Sequence, residues 1–374
     1  MQPTAFFLLT GATSALASPA VSVRQATPDK ASPAEFELFS QYAQAAYCTG
    51  LYDTTINTAV CADNRGSICD GFKGTVTVKE FTNLEFGTIA GYVATNPSKK
   101  QIVVAFKGTN PLSYVDVTSD LIKNLVAANN LFPKCGGCSI HNGFMRAFSS
   151  VRAELEQTLK AELAKPGQES FRVVITGHSL GGAVATVAAP YLRTQGIACD
   201  LYTYGSPRVG NQEFANLITN DSNFSARITN GNDFVASVPF GSLFQLGFYA
   251  HTYPEYWYKD GLLGTAKGYE TTATKCTSRK QCAGPTCGRA RNVLEFPVAR
   301  FTCSIGDHMN YVDPALLLCK DGRKGKSSEP SITAEEFQQF LEAQEKEEEE
   351  KKEGEEEKKE GEEEKKEGEE KQEQ

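Results

Sequence analysis

The sequence predicts one large α/β domain, a mostly parallel central sheet with helices on both faces, and three observations carry that expectation. Strand-like and helix-like segments alternate across most of the chain, the pattern of a parallel sheet threaded by crossover helices. The run Ile102-Val103-Val104-Ala105-Phe106 is apolar without interruption, as a strand buried on both faces must be. A β-branched run, Arg172–Thr176, feeds directly into Gly177-His178-Ser179-Leu180-Gly181-Gly182 and then into an Ala/Val-rich segment. That is a sharp strand-to-helix turn.

Taken in order, a helical pattern opens at Ser32-Pro33-Ala34-Glu35 and carries Phe36, Phe39, Tyr42 and Ala46 near 3.6-residue spacing. Strands are expected at Thr75–Phe81 and Thr88–Val93, then at 102–106. A long helix follows at Phe148–Ala164, then the strand Arg172–Thr176 and a helix from Ala183 to Thr194. Leu201–Tyr204 reads as a strand, Glu213–Ile218 as a helix and Ala226–Thr229 as a strand.

The two ends are of different character. Met1 to Ala20 holds the apolar run Ala5-Phe6-Phe7-Leu8-Leu9 and the small-residue site Ala15-Leu16-Ala17, which reads as a signal peptide over 1–17, although its start lacks a positive charge. A pro-segment is expected over 18–25, the folded domain over 26–320 and a tail over 321–374. From Asp321 onward there are 22 acidic and 11 basic residues; the remaining 27 basic and 24 acidic residues leave 1–320 at a net +3. The body is therefore near neutral and has no basic face of the kind nucleic acid requires. In the tail, Glu-Glu-Glu-Lys-Lys-Glu-Gly occurs three times in register, at 348–354, 355–361 and 362–368. With no apolar position in the repeat, no coiled-coil seam can form, and disorder or a solvated helix is expected. Just before it, Thr333-Ala-Glu-Glu336 looks like a capping box ahead of Phe337, Phe340 and Leu341. This is either a short docking helix or a weakly ordered turn, and a partner for the tail stays open.

Eleven cysteines agree with an exported protein, and their odd number leaves at least one thiol outside intramolecular pairs. No stretch after the leader reaches the ~18–20 apolar residues of a membrane span. Asn220-Asp-Ser and Asn223-Phe-Ser are glycosylation sequons on one loop.

The chemistry centres on Ser179. Gly-x-Ser-x-Gly is a weak signal alone, but here a strand leads in and a helix leads out, the context that places a serine in strained backbone on a tight turn whose flanking glycines relieve steric conflict. A serine hydroxyl needs a histidine to take its proton and a carboxylate to orient that histidine, in the chain order Ser, Asp or Glu, His. Two histidines lie downstream, His251 and His308. An oxyanion formed on attack would be met by the N–H of Leu180, the residue after the nucleophile, and by a donor from the loop after a buried strand; Phe106-Lys-Gly-Thr109 follows such a strand.

Several motifs in sequence order make the chain recognisable: Gly-His-Ser-Leu-Gly-Gly, Leu201-Tyr-Thr-Tyr-Gly-Ser-Pro-Arg-Val-Gly-Asn211, Arg227-Ile-Thr-Asn-Gly-Asn-Asp233 and His251-Thr-Tyr-Pro-Glu-Tyr-Trp257. From about Phe36 to Cys319 the chain resembles the fungal class 3 lipase family of α/β-hydrolases, which includes triacylglycerol lipases, feruloyl esterases and phospholipases. The resemblance implies that Asp233 is the acid and that His308, in Asp307-His308-Met-Asn-Tyr311, is the base, with His251 structural. It implies Thr109 as the second oxyanion donor, with Lys107 where the family has Arg, and a lid from Asn110 to Leu121 that uncovers an acyl groove. The lid's apolar residues, Leu112, Tyr114, Val115 and Val117, are interspersed with Ser, Thr and Asp, so its apolar face is modest. Val238–Tyr249 is read either as a rim of the groove or as a buried segment.

The resemblance also implies disulfides Cys48–Cys319, Cys61–Cys69 and a local bridge Cys135–Cys138. The last is favoured over a redox or zinc reading of Cys-Gly-Gly-Cys. Pairing among Cys276, Cys282, Cys287 and Cys303 is open, and Cys199 is the candidate free thiol. The expected activity is that of a secreted serine ester hydrolase needing no cofactor or metal. Acylglycerols at an oil–water interface are the first substrate class. Feruloyl or phospholipid esters are the alternatives, and an inactive binding protein on the same scaffold is the reading from another class.

Overall fold

A computed structural model of the chain describes residues 29–48, 71, 73–83, 89–108, 125–239, 249–262, 268–278, 281 and 305–311. In chain order the elements are helix α1 (Pro33–Ala45) and strands β1 (Val76–Asn83), β2 (Ile89–Asn96), β3 (Gln101–Phe106), β4 (Leu125–Ala127) and β5 (Ser139–His141). Helix α2 (Asn142–Leu163), strand β6 (Arg172–His178), helix α3 (Leu180–Thr194), strands β7 (Cys199–Tyr204) and β8 (Gly210–Asn211), and helix α4 (Gln212–Thr219) follow. Strands β9 (Ser225–Asn230), β10 (Tyr249–Ala250), β11 (Glu255–Tyr258) and β12 (Thr274–Cys276) and the short helix α5 (Ile305–Met309) complete the set.

Among the described residues, one sheet runs in the order β1-β2-β3-β6-β7-β9-β11-β12. From β3 through β11 neighbouring strands are parallel; β1, β2 and β12 add antiparallel edges. Strands with both faces covered carry no polar alternation, and β3, β6 and β7 are buried along nearly their whole length. Their side chains nevertheless divide by parity. Ile102, Val104, Phe106, Val173, Ile175 and Leu201 join α2 and α3 in one core. Val103, Ala105, Val174, Tyr202 and Tyr204 join α1 in the other. On α2, Phe148, Val151, Leu155 and Leu159 fall on one face and are buried, each contributing about 1.5–3 kcal/mol. On the opposite layer, Arg172 at the start of β6 bonds Glu35 of α1 (2.6 Å), Asp200 of β7 (2.7 Å) and the Tyr202 hydroxyl (2.7 Å). This cluster fastens α1 to the sheet.

The differences from the sequence reading have local causes. Helix α2 begins at Asn142, not near Phe148, because His141 caps it: its Nδ1 accepts the Gly143 N–H at 3.1 Å. The weak helix formers Asn142 and Gly143 hide that start. Strands β1 and β2 end two or three residues later than expected. A second sheet in the order β10-β8-β5-β4 was not expected, since strands of two or three residues carry no readable periodicity.

Cys135 and Cys138 are bonded to each other, Cys48 and Cys276 are each in a disulfide, and Cys199 is a free, buried thiol. Of the sequons, Asn220 and Ser222 are exposed, whereas Asn223 is half-buried and its amide donates to Asp221 at 2.8 Å. The leader and pro-segment, Cys61, Cys69, Cys282, Cys287, Cys303, Cys319, the segment around Thr333 and the acidic tail lie outside the described residues.

Candidate active site

The parallel strands β6, β7 and β9 end on the same edge of the sheet, and the candidate residues gather there. Ser179 directly follows β6 and caps α3 with φ 58° and ψ −128°. Positive φ in a residue with a Cβ is strained by about 1–3 kcal/mol, sustained only where the surroundings over-determine it. Here they do. The Ser179 N–H donates to the Tyr204 carbonyl (2.9 Å), and the turn is packed too tightly for side chains at its flanks. A Cβ on Gly177 would collide with the Gly181 backbone, and one on Gly181 would collide with Phe106 and Lys107. Leu180 is the first residue of α3, so its N–H is among those with no intrahelical acceptor, at the positive end of the helix dipole.

Asp233 lies in the turn after β9, and His308 sits on α5. Although 75 residues apart, they meet: His308 Nδ1 is 2.9 Å from both carboxylate oxygens, with His308 0% and Asp233 1% exposed. A buried carboxylate must have its lone pairs filled. Val235 N donates to Oδ1 (2.8 Å) and the Tyr311 hydroxyl to Oδ2 (2.7 Å). That hydroxyl in turn accepts the Asn230 N–H (2.9 Å). The two loops are also tied backbone to side chain: Asn230 Nδ2 donates to the Asp307 carbonyl (2.8 Å), and Asp307 Oδ2 accepts the Asn232 N–H (2.7 Å).

Gly205, one residue past β7, is the floor of this arrangement. Its φ is +57°, and a Cβ there would sit 2.7 Å from Asp233 Oδ2, 2.8 Å from Tyr311 Cε2 and 2.9 Å from His308 Nδ1. Because the Tyr204 carbonyl accepts the Ser179 N–H and Gly205 packs against His308 and Asp233, one strand end connects the Ser179 turn to the His308–Asp233 pair.

His251 is elsewhere: its Nε2 is 2.7 Å from the Ala236 carbonyl, and it lines a small cavity with Thr186, Ser206 and Arg227. Thr109, the lid segment 110–121 and residues 240–248 of the Val238–Tyr249 stretch lie outside the described residues. Sequence reasoning missed the parts played by Tyr311, Asn230, Asp307 and Gly205. A signal existed for Tyr311, which follows His308 by three residues in the same Asp-His-x-x-Tyr segment. Gly205 could be read only as a turn residue. Among the described residues, no group of three His, Cys, Asp or Glu side chains is placed to hold a metal ion, and no helix is long and apolar enough to cross a membrane.

Comparison with known proteins agrees with this architecture. The family model for lipase (class 3) matches residues 103–243. The secreted mono- and diacylglycerol lipase 1 of Fusarium solani is 36% identical over 260 residues, covering 68% of this chain and 72% of that one. The secreted mono- and diacylglycerol lipase A of Penicillium cyclopium is 32% identical over 229 residues, covering 60% and 69%. Among solved structures, the mono- and diacylglycerol lipase of Aspergillus oryzae is 30% identical with a TM-score of 0.56, covering 72% of this chain and 95% of that one. Elbow, sheet order and relatives agree: the chain belongs to the class 3 lipase family and is a carboxylic ester hydrolase on an α/β-hydrolase scaffold.

Proposed function

We propose that the chain is a secreted acylglycerol lipase in which Ser179, His308 and Asp233 act as a triad and the N–H groups of Leu180 and Thr109 receive the oxyanion. The observation that carries this reading is the buried His308–Asp233 pair at 2.9 Å, set beside a serine in strained backbone at a helix N-terminus. Ser179 Oγ attacks the ester carbonyl carbon while His308 Nε2 takes its proton. Asp233, accepting from Nδ1–H, holds the ring's tautomer and stabilises the imidazolium. Charge developing on the carbonyl oxygen is met by the Leu180 N–H at the first turn of α3, aided by the helix dipole, with the Thr109 N–H proposed as the second donor. His308 then protonates the leaving alcohol, and the acyl-enzyme is hydrolysed by a water that His308 deprotonates.

Export and substrate class rest on the 1–17 leader pattern and on relatives named as secreted mono- and diacylglycerol lipases. The substrate is met at an oil–water interface, the catalytic unit is 26–320, and the acidic tail stands apart from the chemistry. A feruloyl-type esterase is the second reading, favoured by the Ser, Thr and Asp residues scattered through 110–121. Rates on emulsified mono-, di- and triacylglycerols compared with methyl ferulate distinguish the two. Preference for an acylglycerol is expected, and preference for the aromatic ester would overturn the substrate assignment.

A further inference from the structure

We infer that His178, the residue before the nucleophile, is a positioning residue for the catalytic base, held in its working tautomer by Tyr47. The inference rests on the triad reading above. His178 is 5% exposed and takes no part in the proton transfers, yet both its ring nitrogens are committed. Nε2 is 2.8 Å from the backbone carbonyl of His308, and Nδ1 is 2.9 Å from the Tyr47 hydroxyl. The two imidazoles lie with ring centroids 4.6 Å apart.

The polarity of this chain of bonds follows from elementary donor and acceptor rules. A carbonyl only accepts, so Nε2 of His178 carries the hydrogen. Burial first, and the neighbouring His308 second, hold His178 well below the usual imidazole range, against the opposing effect of its bond to the His308 carbonyl. The ring is therefore neutral and Nδ1 is an acceptor. Tyr47 O–H donates to it, which excludes the tautomer that would turn a lone pair toward the His308 carbonyl.

The mechanical consequence concerns α5. It has only five residues, too few to fix its own position. Its loop is tied to β9 by Asn230, Asp307 and Tyr311, all on the Asp233 side. The His178 bond is a tie to the nucleophile's own turn, made by the residue adjacent to Ser179. Ser179 and His308 are thus referenced to each other through one covalent neighbour, His178, and its one hydrogen bond to the His308 carbonyl, and not only through the distant acid. A displacement of about 1 Å between nucleophile and base is enough to lower turnover about 10²-fold.

The test compares Tyr47→Phe, His178→Leu and His178→Gln with the wild type and with Ser179→Ala. Hydrolysis of a soluble p-nitrophenyl ester is measured, with kcat expressed per site titrated by an organophosphonate and melting temperature measured alongside. Tyr47→Phe is expected to lower kcat about 3–10-fold, the equivalent of one hydrogen bond, with KM changed less than twofold. His178→Leu is expected to lower it about 100-fold. His178→Gln, whose amide can still donate to the His308 carbonyl, is expected to recover at least a tenth of the wild-type kcat. A purely structural role would lower the melting temperature and the titratable fraction but leave kcat per titrated site unchanged, and that result overturns the inference. If His178→Leu does not fold, Tyr47→Phe decides, because it removes one oxygen from a half-buried ring: unchanged kcat refutes the proposal and reduced kcat at unchanged KM supports it. Full activity in Ser179→Ala would instead refute the triad reading, and the inference with it.

Discussion

Gly205→Ala isolates the packing of the His308–Asp233 pair from the chemistry proposed for it, because no proposed reacting group is altered. The added methyl would sit 2.7 Å from Asp233 Oδ2, 2.8 Å from Tyr311 Cε2 and 2.9 Å from His308 Nδ1. Ordinary contact begins near 3.4 Å, so each neighbour must retreat by about 0.5–0.7 Å. Two costs add. Left-handed backbone costs a residue with a Cβ about 1–2 kcal/mol, and overfilling a packed interior costs about 1–3 kcal/mol. The expected loss of stability is therefore about 2–5 kcal/mol, seen as a melting temperature lower by about 3–8 °C for a domain of this size. Because the forced movement falls on Asp233 and His308, kcat/KM on a soluble ester is expected to fall by about 10²-fold. Wild-type melting temperature together with wild-type kcat/KM in Gly205→Ala would refute the reasoning, since the geometry leaves no space for the methyl.

Three further predictions test other parts of the structure. Burial pushes the Cys199 thiol up to about 12, so iodoacetamide at pH 8 should spare it in native enzyme and alkylate it in denaturant, as read by peptide mapping; native modification would contradict the buried site. Arg227 and Glu255 form an ion pair at 2.8 Å with both side chains nearly fully buried. Glu255→Ala leaves an uncompensated guanidinium and should cost about 3–5 kcal/mol in urea unfolding, whereas a loss below about 1 kcal/mol would show the charge to be solvated. Finally, His178 stays neutral in the fold well below the usual imidazole range, while in the unfolded chain it takes up a proton below about pH 6.5. Its contribution to stability is therefore complete above about pH 6.5 and declines as pH falls toward the folded value, by up to about 1.4 kcal/mol per pH unit. His178→Gln should lose less stability than wild type between about pH 6.5 and 5.5, and parallel stability curves would contradict the assignment.

The parts of the molecule legible in the sequence were those with strong local pattern. An unbroken apolar strand at 102–106, a β-branched strand at 172–176 and a small-residue helix after Ser179 each declare themselves within one window, and together they give the sheet. The choice of partners for Ser179 was not local. His251 and His308 are equivalent as residues downstream of a serine; motif resemblance favoured His308, and the fold sets His251 against the Ala236 carbonyl instead. Gly205 and Tyr47 were illegible for a related reason. Their significance is contact across the fold, with Asp233 and His308 in one case and His178 in the other, and no spacing along the chain encodes it. The second sheet escaped because β8 joins β5 and β10 through single residues or pairs, which leave no periodic trace.

The central claim, that Ser179 is the nucleophile activated by His308, is tested most directly by covalent labelling. Native enzyme is treated with an organophosphonate, digested and examined by mass spectrometry, with residual activity measured on the same sample. One phosphonyl group per molecule on the peptide containing Ser179, loss of activity in proportion to labelling, and no labelling in folded Ser179→Ala or His308→Ala are the predicted results. Stoichiometric label on another residue, or ester hydrolysis that persists after Ser179 is fully modified, would contradict the account.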